Sequence, residues 1–255
     1  MNSIPVFARV VWALINREAL TRNGRWRFGY IWAFAEPAFY IIGFVAVRGF
    51  ISSRTPFGES AILFLITALL TFRTAIGLTR RTMGAIQSNI ALLTFPQVKT
   101  FDVIVARIGL ETMTWIGVSL IFVVGLYLFT GIWAPQNLPT MLEGYLATIF
   151  LGSSFGFFNA TFVRIAPFWD RALALLSLPL FLASGIFFLP SSLPPDVMSI
   201  LWWNPFLHVV EWVRSGVYID YSPYLSKNYV LTLSCGLMFA GLFINKFFQA
   251  QMLRE

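Results

Sequence analysis

Apolar residues run through this chain in blocks long enough to cross a bilayer, and polar residues collect in the gaps between them. A spanning helix needs about 20 largely apolar residues. Six segments meet that length: 29–51, 60–79, 103–129, 139–163, 168–189 and 229–248. A further stretch, 190–225, is too apolar for an ordinary loop, yet it is broken by Pro190, Pro194, Pro195, Pro205 and Pro223. Proline lacks an amide proton and clashes with the preceding turn. Broken helices at membrane depth are stable only where protein buries them or where they line a wet cavity. The pattern therefore predicts an all-α integral membrane fold, a single transmembrane domain over 1–255 with six spans and two short re-entrant helices before the last. Leu201, Trp202, Trp203, Phe206 and Trp212 are expected to anchor the re-entrant region at headgroup level.

Two segments outside the spans have helical periodicity. Over 4–20, Phe7, Val10, Val11, Leu14 and Ile15 fall on one face while Arg9, Asn16 and Arg17 lie off it. Such a helix is expected to lie in the membrane interface; a simple lead-in to the first span is the plainer reading. In the loop 80–102, Ile86, Ile90 and Leu93 share a face and Pro96 ends the pattern. That predicts a short, exposed, partly apolar helix near Ser88–Phe95, with Ser88, Asn89, Leu92 and Phe95 as candidate contacts. An exposed apolar helix needs a partner, here a soluble subunit docking from the cytoplasm; the alternative is a loop lying on the protein's own body.

Composition sharpens the assignment. The chain is 58% hydrophobic and 11% charged, against about 25% charged in a soluble domain, and its mean hydropathy is +0.74. Placement of the basic residues then sets the orientation. With the N-terminus in the cytoplasm, 14 of the 18 Lys and Arg fall on cytoplasmic segments, leaving Arg48, Arg54, Arg214 and Lys227 outside. Both termini are expected in the cytoplasm. The net charge of +7 is accounted for by this asymmetry without nucleic acid. Five arginines spread through the first 28 residues, with no compact apolar core, predict no cleavable signal peptide. The single cysteine, Cys235, permits no disulfide framework or metal cluster and is expected as a small buried hydrophobe.

Little in the chain suggests catalysis. It contains no G-x-x-x-x-G-K-[ST] phosphate loop, no H-E-x-x-H and no Ser/His/Asp constellation, so no catalytic residue, metal ligand or cofactor is assigned to it. The charges near membrane depth are the candidates for function. Glu36 and Arg73 sit in the first and second segments and are placed to face each other; Arg107 and Glu111, four apart, are placed to neutralise one another. His208, Glu211 and Arg214 recur at steps of three along one side of a helix. They serve either to gate or bind a substrate or to form a structural ion pair. Gly152, Ser153, Ser154 and Gly156 permit close helix approach, between protomers or within one chain.

Several separated blocks resemble one family. FGYIWAFAEP (28–37), RTMGAIQSNIALLTFPQVKTFDVIVARIGLET (81–112), SLPLFLASGIFFLPSSLP (177–194) and NPFLHVVEWVR (204–214) stand in the order and spacing of the permease subunit of Gram-negative capsular polysaccharide exporters, within the ABC-2 type membrane-domain family. Thr100 departs from that pattern, where relatives often carry proline.

The resemblance implies a homodimer in the bacterial inner membrane, working with two copies of a separate ATP-binding subunit that holds the ATP and magnesium. It further implies a periplasmic polysaccharide co-polymerase, an outer-membrane export channel and a lipid-linked polysaccharide as cargo. Carried over by position, Ser88–Phe95 would sit in the ATPase cleft. The segment 186–214, with Ser184, Gly185, Pro205, His208, Glu211 and Arg214 around it, would close the outer end of the canal. At the cytoplasmic mouth, Arg25, Trp26, Arg27, Tyr30 and Trp32, with Glu36 and Arg73 deeper in, offer an aromatic and basic path suited to an anionic sugar chain. Interface anchoring is the plainer role of these aromatics. The rival readings are the same fold carrying O-antigen or another surface glycan, a membrane-embedded lipid-linked glycosyltransferase, and an ion-coupled transporter.

Overall fold

The computed structural model describes residues 3–22, 35, 38, 39, 42, 43, 46, 47, 57, 58, 60–131 and 135–248. Most of the expected first span, and with it Arg25, Trp26, Arg27, Tyr30, Trp32 and Glu36, lies outside the described residues.

The described elements, in chain order, are α1 (Ser3–Arg22), α2 (Ala61–Met83), α3 (Ala85–Ser88), α4 (Thr100–Thr130), α5 (Leu138–Phe162), α6 (Phe168–Leu182), α7 (Pro195–Leu201), α8 (Pro205–Val217) and α9 (Lys227–Phe247). Short polar side chains start most of the long ones, because a helix leaves its first amides without internal partners. Ser60 accepts from the Leu63 amide, Asn137 from Thr140, Asn204 from Phe206 and Ser226 from Tyr229. Asp102 accepts from the Lys99 amide at 3.0 Å and so closes the first turn of α4. Gly131, at φ 69°, ends that helix in the left-handed region. Thr100, at the first position of α4, donates its hydroxyl to Asn245 Oδ1 at 2.6 Å and ties α4 to the end of α9. A proline at a helix start would leave the helix intact but make no such bond.

Four of the described helices are long and apolar enough to cross a membrane: α2, α4, α5 and α9. The fifth expected segment is helical only over Phe168–Leu182, 15 residues, or about 22 Å of rise against a hydrocarbon core of about 30 Å. Pro179 removes a donor near its end, and the chain then turns at Gly185 with φ 70°.

α5 is the hub, packing against α2, α8 and α9. Its small residues are taken up by these contacts. A Cβ on Gly152 would stand 2.7 Å from the Ala75 carbonyl oxygen, one on Gly156 2.9 Å from that of Leu78, and one on Gly144 2.8 Å from the Val213 nitrogen. The small-residue run is therefore packing within the chain. Phe64, Leu69, Leu78, Leu151, Val209 and Val210 are among the buried residues around this hub.

Burial is uneven across the four long helices. The apolar window of α2 is 67% buried, whereas those of α4 and α9 are 22% and 17% buried. The outer two thus present apolar rows, including Leu120, Ile121, Val124 and Leu128 on α4 and Phe239, Phe243 and Phe247 on α9. Cys235 is exposed on this outer side of α9, because the inward positions are taken by Val230, Ser234 and Gly241. This corrects its expected burial.

Candidate functional site

Two polar regions stand out, one where α1 meets the 85–95 segment and one around α8. At the first, the expected helix over Ser88–Phe95 is instead two short turns: α3, ending at Ser88, and a 3-10 turn over Ile90–Leu92. The break lies at Asn89. Its side-chain amide folds back to donate to the Ala85 carbonyl at 3.0 Å, competing with the backbone ladder. Ile86 is fully buried, and Leu92 and Leu93 pack partly against Leu14, Val103 and Ile104. The apolar side of the pattern thus faces the protein body, which corrects its expected exposure. What projects outward is the opposite edge: Gln87, Ser88, Ala91, Thr94 and Phe95. Phe95 is 59% exposed and stands directly before Pro96.

This edge is tied in place by charged side chains. Arg107 of α4 donates to Ser88 Oγ at 2.8 Å, and Arg164, just past α5, donates to Gln87 Oε1. Arg107 also pairs with Glu18 of α1, and Arg17 donates to Asn89 Oδ1 at 3.1 Å. Glu111, expected beside Arg107, lies 3.8 Å from Arg81 of α2 instead. Residues four apart on one helix are near enough to pair, but each here finds its partner on another element. α1 itself is amphipathic as the periodicity predicts. Its apolar side packs on the body through Val10, Val11, Leu14 and Ile15, leaving Trp12 and Leu20 exposed.

The second region surrounds α8. His208, Glu211 and Arg214 are all buried there, at 0%, 1% and 0% exposure. Arg214 donates to the Gly185 carbonyl at 2.7 Å and to those of Phe64 and Ile186 at 3.3 Å, while its guanidinium lies 3.6 Å from the centre of the Phe64 ring. Glu211 lies 3.5 Å from Arg214 and accepts from the Tyr221 hydroxyl at 2.6 Å and the Tyr224 amide at 3.2 Å. His208 Nδ1 accepts from the Ser226 amide at 3.2 Å, so its proton resides on Nε2, which donates to the Trp202 carbonyl at 2.8 Å. Both nitrogens of that neutral ring are thereby used on the backbone.

Ser184 and Gly185 form the turn that Arg214 holds. Asn204 Nδ2 donates to Ser184 Oγ at 3.2 Å, and Pro205 opens α8 behind it. Ser184, Gly185 and Arg214, with Glu211 beside Arg214 and Pro205 beside Asn204, thus meet where the turn after α6 lies against α8 and the start of α2, whereas His208 is held separately by Trp202 and Ser226. The aromatic anchors do not behave as a set. Trp203 is 73% exposed, but Phe206 and Trp212 are core residues at 2% and 4%. Arg73 sits half-buried near the midpoint of α2, beside Thr74, whose hydroxyl meets Tyr145 OH at 3.3 Å. Its expected partner, Glu36, falls outside the described residues.

The sequence reading missed Glu18, Asn204, Tyr221 and Tyr224. Glu18 carried a weak signal as the one acid of a basic amphipathic helix. The tyrosines carried none, since contacts 10 and 13 residues from Glu211 follow no helical period.

Comparison with known proteins adds to this geometry. Residues 9–218 match the family model described as ABC-2 type transporter. The chain is 31% identical over 231 residues to the polysialic acid transport protein KpsM of Escherichia coli, covering 90% of each chain. It is 28% identical over 251 residues to the capsule polysaccharide export inner-membrane protein BexB of Haemophilus influenzae, covering 97% of this chain and 94% of the other. It is 29% identical over 255 residues to the capsule polysaccharide export inner-membrane protein CtrC of Neisseria meningitidis serogroup B, with 96% and 94% covered.

Proposed function

Because the chain belongs to the ABC-2 type transporter family, we propose that it is the membrane-spanning subunit of an ATP-driven exporter that moves capsular polysaccharide across the bacterial inner membrane. The observation that carries this reading is similarity along nine-tenths or more of the chain to capsule and polysialic acid export proteins of three bacteria. The absence of a phosphate loop from the sequence supports placing ATP and magnesium on a separate ATP-binding subunit. The outward edge of the 85–95 segment, with Phe95 59% exposed, supports docking of that subunit there.

The finer reading follows the same family. The chain works as a homodimer with two ATP-binding subunits, six spans per protomer and both termini in the cytoplasm, and the lipid-linked polymer passes between protomers to a periplasmic co-polymerase and an outer-membrane channel. α7 and α8 are its re-entrant pair, and the junction around Arg214 holds the outer end of the canal. The bonds to backbone carbonyls support a fixed hinge there rather than a sugar-binding site.

The test is the location of polymer in cells lacking this gene. Polysaccharide accumulating in the cytoplasm beneath a bare surface is the expected result. Absence of polymer everywhere would instead assign the protein to synthesis, and an intact capsule with altered O-antigen would change the cargo.

A further inference from the structure

The polar cluster where α1 meets the 85–95 segment does more than packing requires. Leu14, Ile15, Ile86, Val103 and Ile104 already bury an apolar face between α1, α3 and α4. A carboxylate beside that face is unfavourable unless it is paired and hydrogen-bonded. Glu18 is nevertheless there, 8% exposed, and it is the one acid of α1. It pairs with Arg107 of α4, and the Asn89 amide reaches its Oε1 at 3.5 Å. Arg107 continues to Ser88 Oγ at 2.8 Å, while Arg17 returns from α1 to Asn89 Oδ1 at 3.1 Å. Three elements distant in sequence therefore share one directional network. Apolar contacts let helices slide, whereas such a network fixes their register.

We propose that Glu18 is a positioning residue for energy coupling: acting through Arg107 and Asn89, it holds the segment that the ATP-binding subunit pushes against, so that a push reaches α4 and α1 together. The inference rests on the exporter reading above. Phe95 makes the contact, and Glu18 sets where that contact is delivered.

The test uses the whole exporter in cells deleted for this gene, with complemented copies carrying Glu18→Gln, Glu18→Arg, Arg107→Glu or the double exchange E18R/R107E. Asn16→Ala, on the exposed side of α1, is the control. Surface polymer is measured per unit of membrane-inserted protein, and ATP hydrolysis is measured on the purified complex. Glu18→Arg is expected to lower export about tenfold while hydrolysis stays within about twofold, a change in the range of coupling between distinct sites. The double exchange is expected to recover most of the loss. Glu18→Gln, which keeps the shape, covers the case in which a charge reversal prevents insertion.

Wild-type export from Glu18→Gln and Glu18→Arg would overturn the positioning role. So would parallel loss of hydrolysis and export, or a loss that the exchange leaves unchanged. Failure of the wild-type copy to restore surface polymer would overturn the exporter reading, and this inference with it.

Discussion

A guanidinium taken out of water keeps its charge, so everything that satisfies Arg214 has to come from the protein. Three carbonyls, one carboxylate and a phenyl face do so. Arg214→Ala would take a donor from each of those carbonyls and leave the Glu211 carboxylate, still bonded to Tyr221 and Tyr224, without its counter-ion. The expected loss is about 3–5 kcal/mol, the cost of breaking a buried pair, read as a lower melting temperature of the detergent-solubilised protein. Arg214→Lys keeps the charge, but an ammonium cannot reproduce the planar fork that spans Gly185, Ile186 and Phe64, so it is expected to fall between the two. The spacing of His208, Glu211 and Arg214 was legible in the sequence because it lies within one helix. Tyr221 and the turn at Gly185 were not, because the chain reaches them only by folding back. His208 illustrates the same limit: its place on one side of the helix was legible, but its bonds to the Trp202 carbonyl and the Ser226 amide were not.

At the level of elements, the glycines distinguish inner from outer helix faces. A Cβ at Gly216 would lie 2.2 Å from the Met141 nitrogen, on the contact between α8 and α5. Gly216→Ala should therefore destabilise by about 1–3 kcal/mol, as overpacking does. Gly125, in the exposed stretch of α4, has nothing within 4 Å of its Cβ position. Gly125→Ala should leave stability unchanged or raise it by up to about 1 kcal/mol, read as an unchanged or higher melting temperature. The contrast between the two changes checks the close packing of α8 on α5.

The 85–95 segment gives a functional contrast of the same kind. Phe95→Asp alters an exposed edge and is expected to leave insertion intact while export falls and ATP hydrolysis by the partner continues. Ile86→Asp places a charge in the core and is expected to reduce the amount of inserted protein instead. Periodicity predicted a helix near Ser88–Phe95 with its apolar face toward a partner; the structure has two short turns whose apolar side lies on the protein body, the alternative that the sequence left open. The pattern records which residues avoid water and is silent on which surface covers them.

For the whole molecule, the membrane arrangement expected from charge placement is open to direct measurement. With Cys235 replaced by serine and single cysteines introduced at Gln87 and at Gln136, an impermeant thiol reagent added outside should label position 136 and spare 87. The reverse pattern would invert the orientation. Gln87 and Gln136 lie in segments joining successive long helices. The exposed apolar rows of α4 and α9 carry a related expectation: charged replacements at Val124 or Phe239 should impair insertion or assembly, because hydrocarbon or a second protomer must cover those rows.

The sequence alone determined that the chain is a membrane protein, where the four long apolar helices α2, α4, α5 and α9 lie and which family it resembles. A bilayer is a one-dimensional constraint: length, hydropathy and the side on which arginines collect are all readable along a line. Which charges meet was decided only by the fold. Arg107 and Glu111 are neighbours on α4, yet they pair with Glu18 and Arg81 on other helices. In low dielectric a charge takes the partner that geometry brings closest. The inward turn of Ile86, the tethering of Asn89 and the convergence of Ser184, Gly185 and Arg214 are likewise products of packing between elements far apart in the chain, and no local period encodes them.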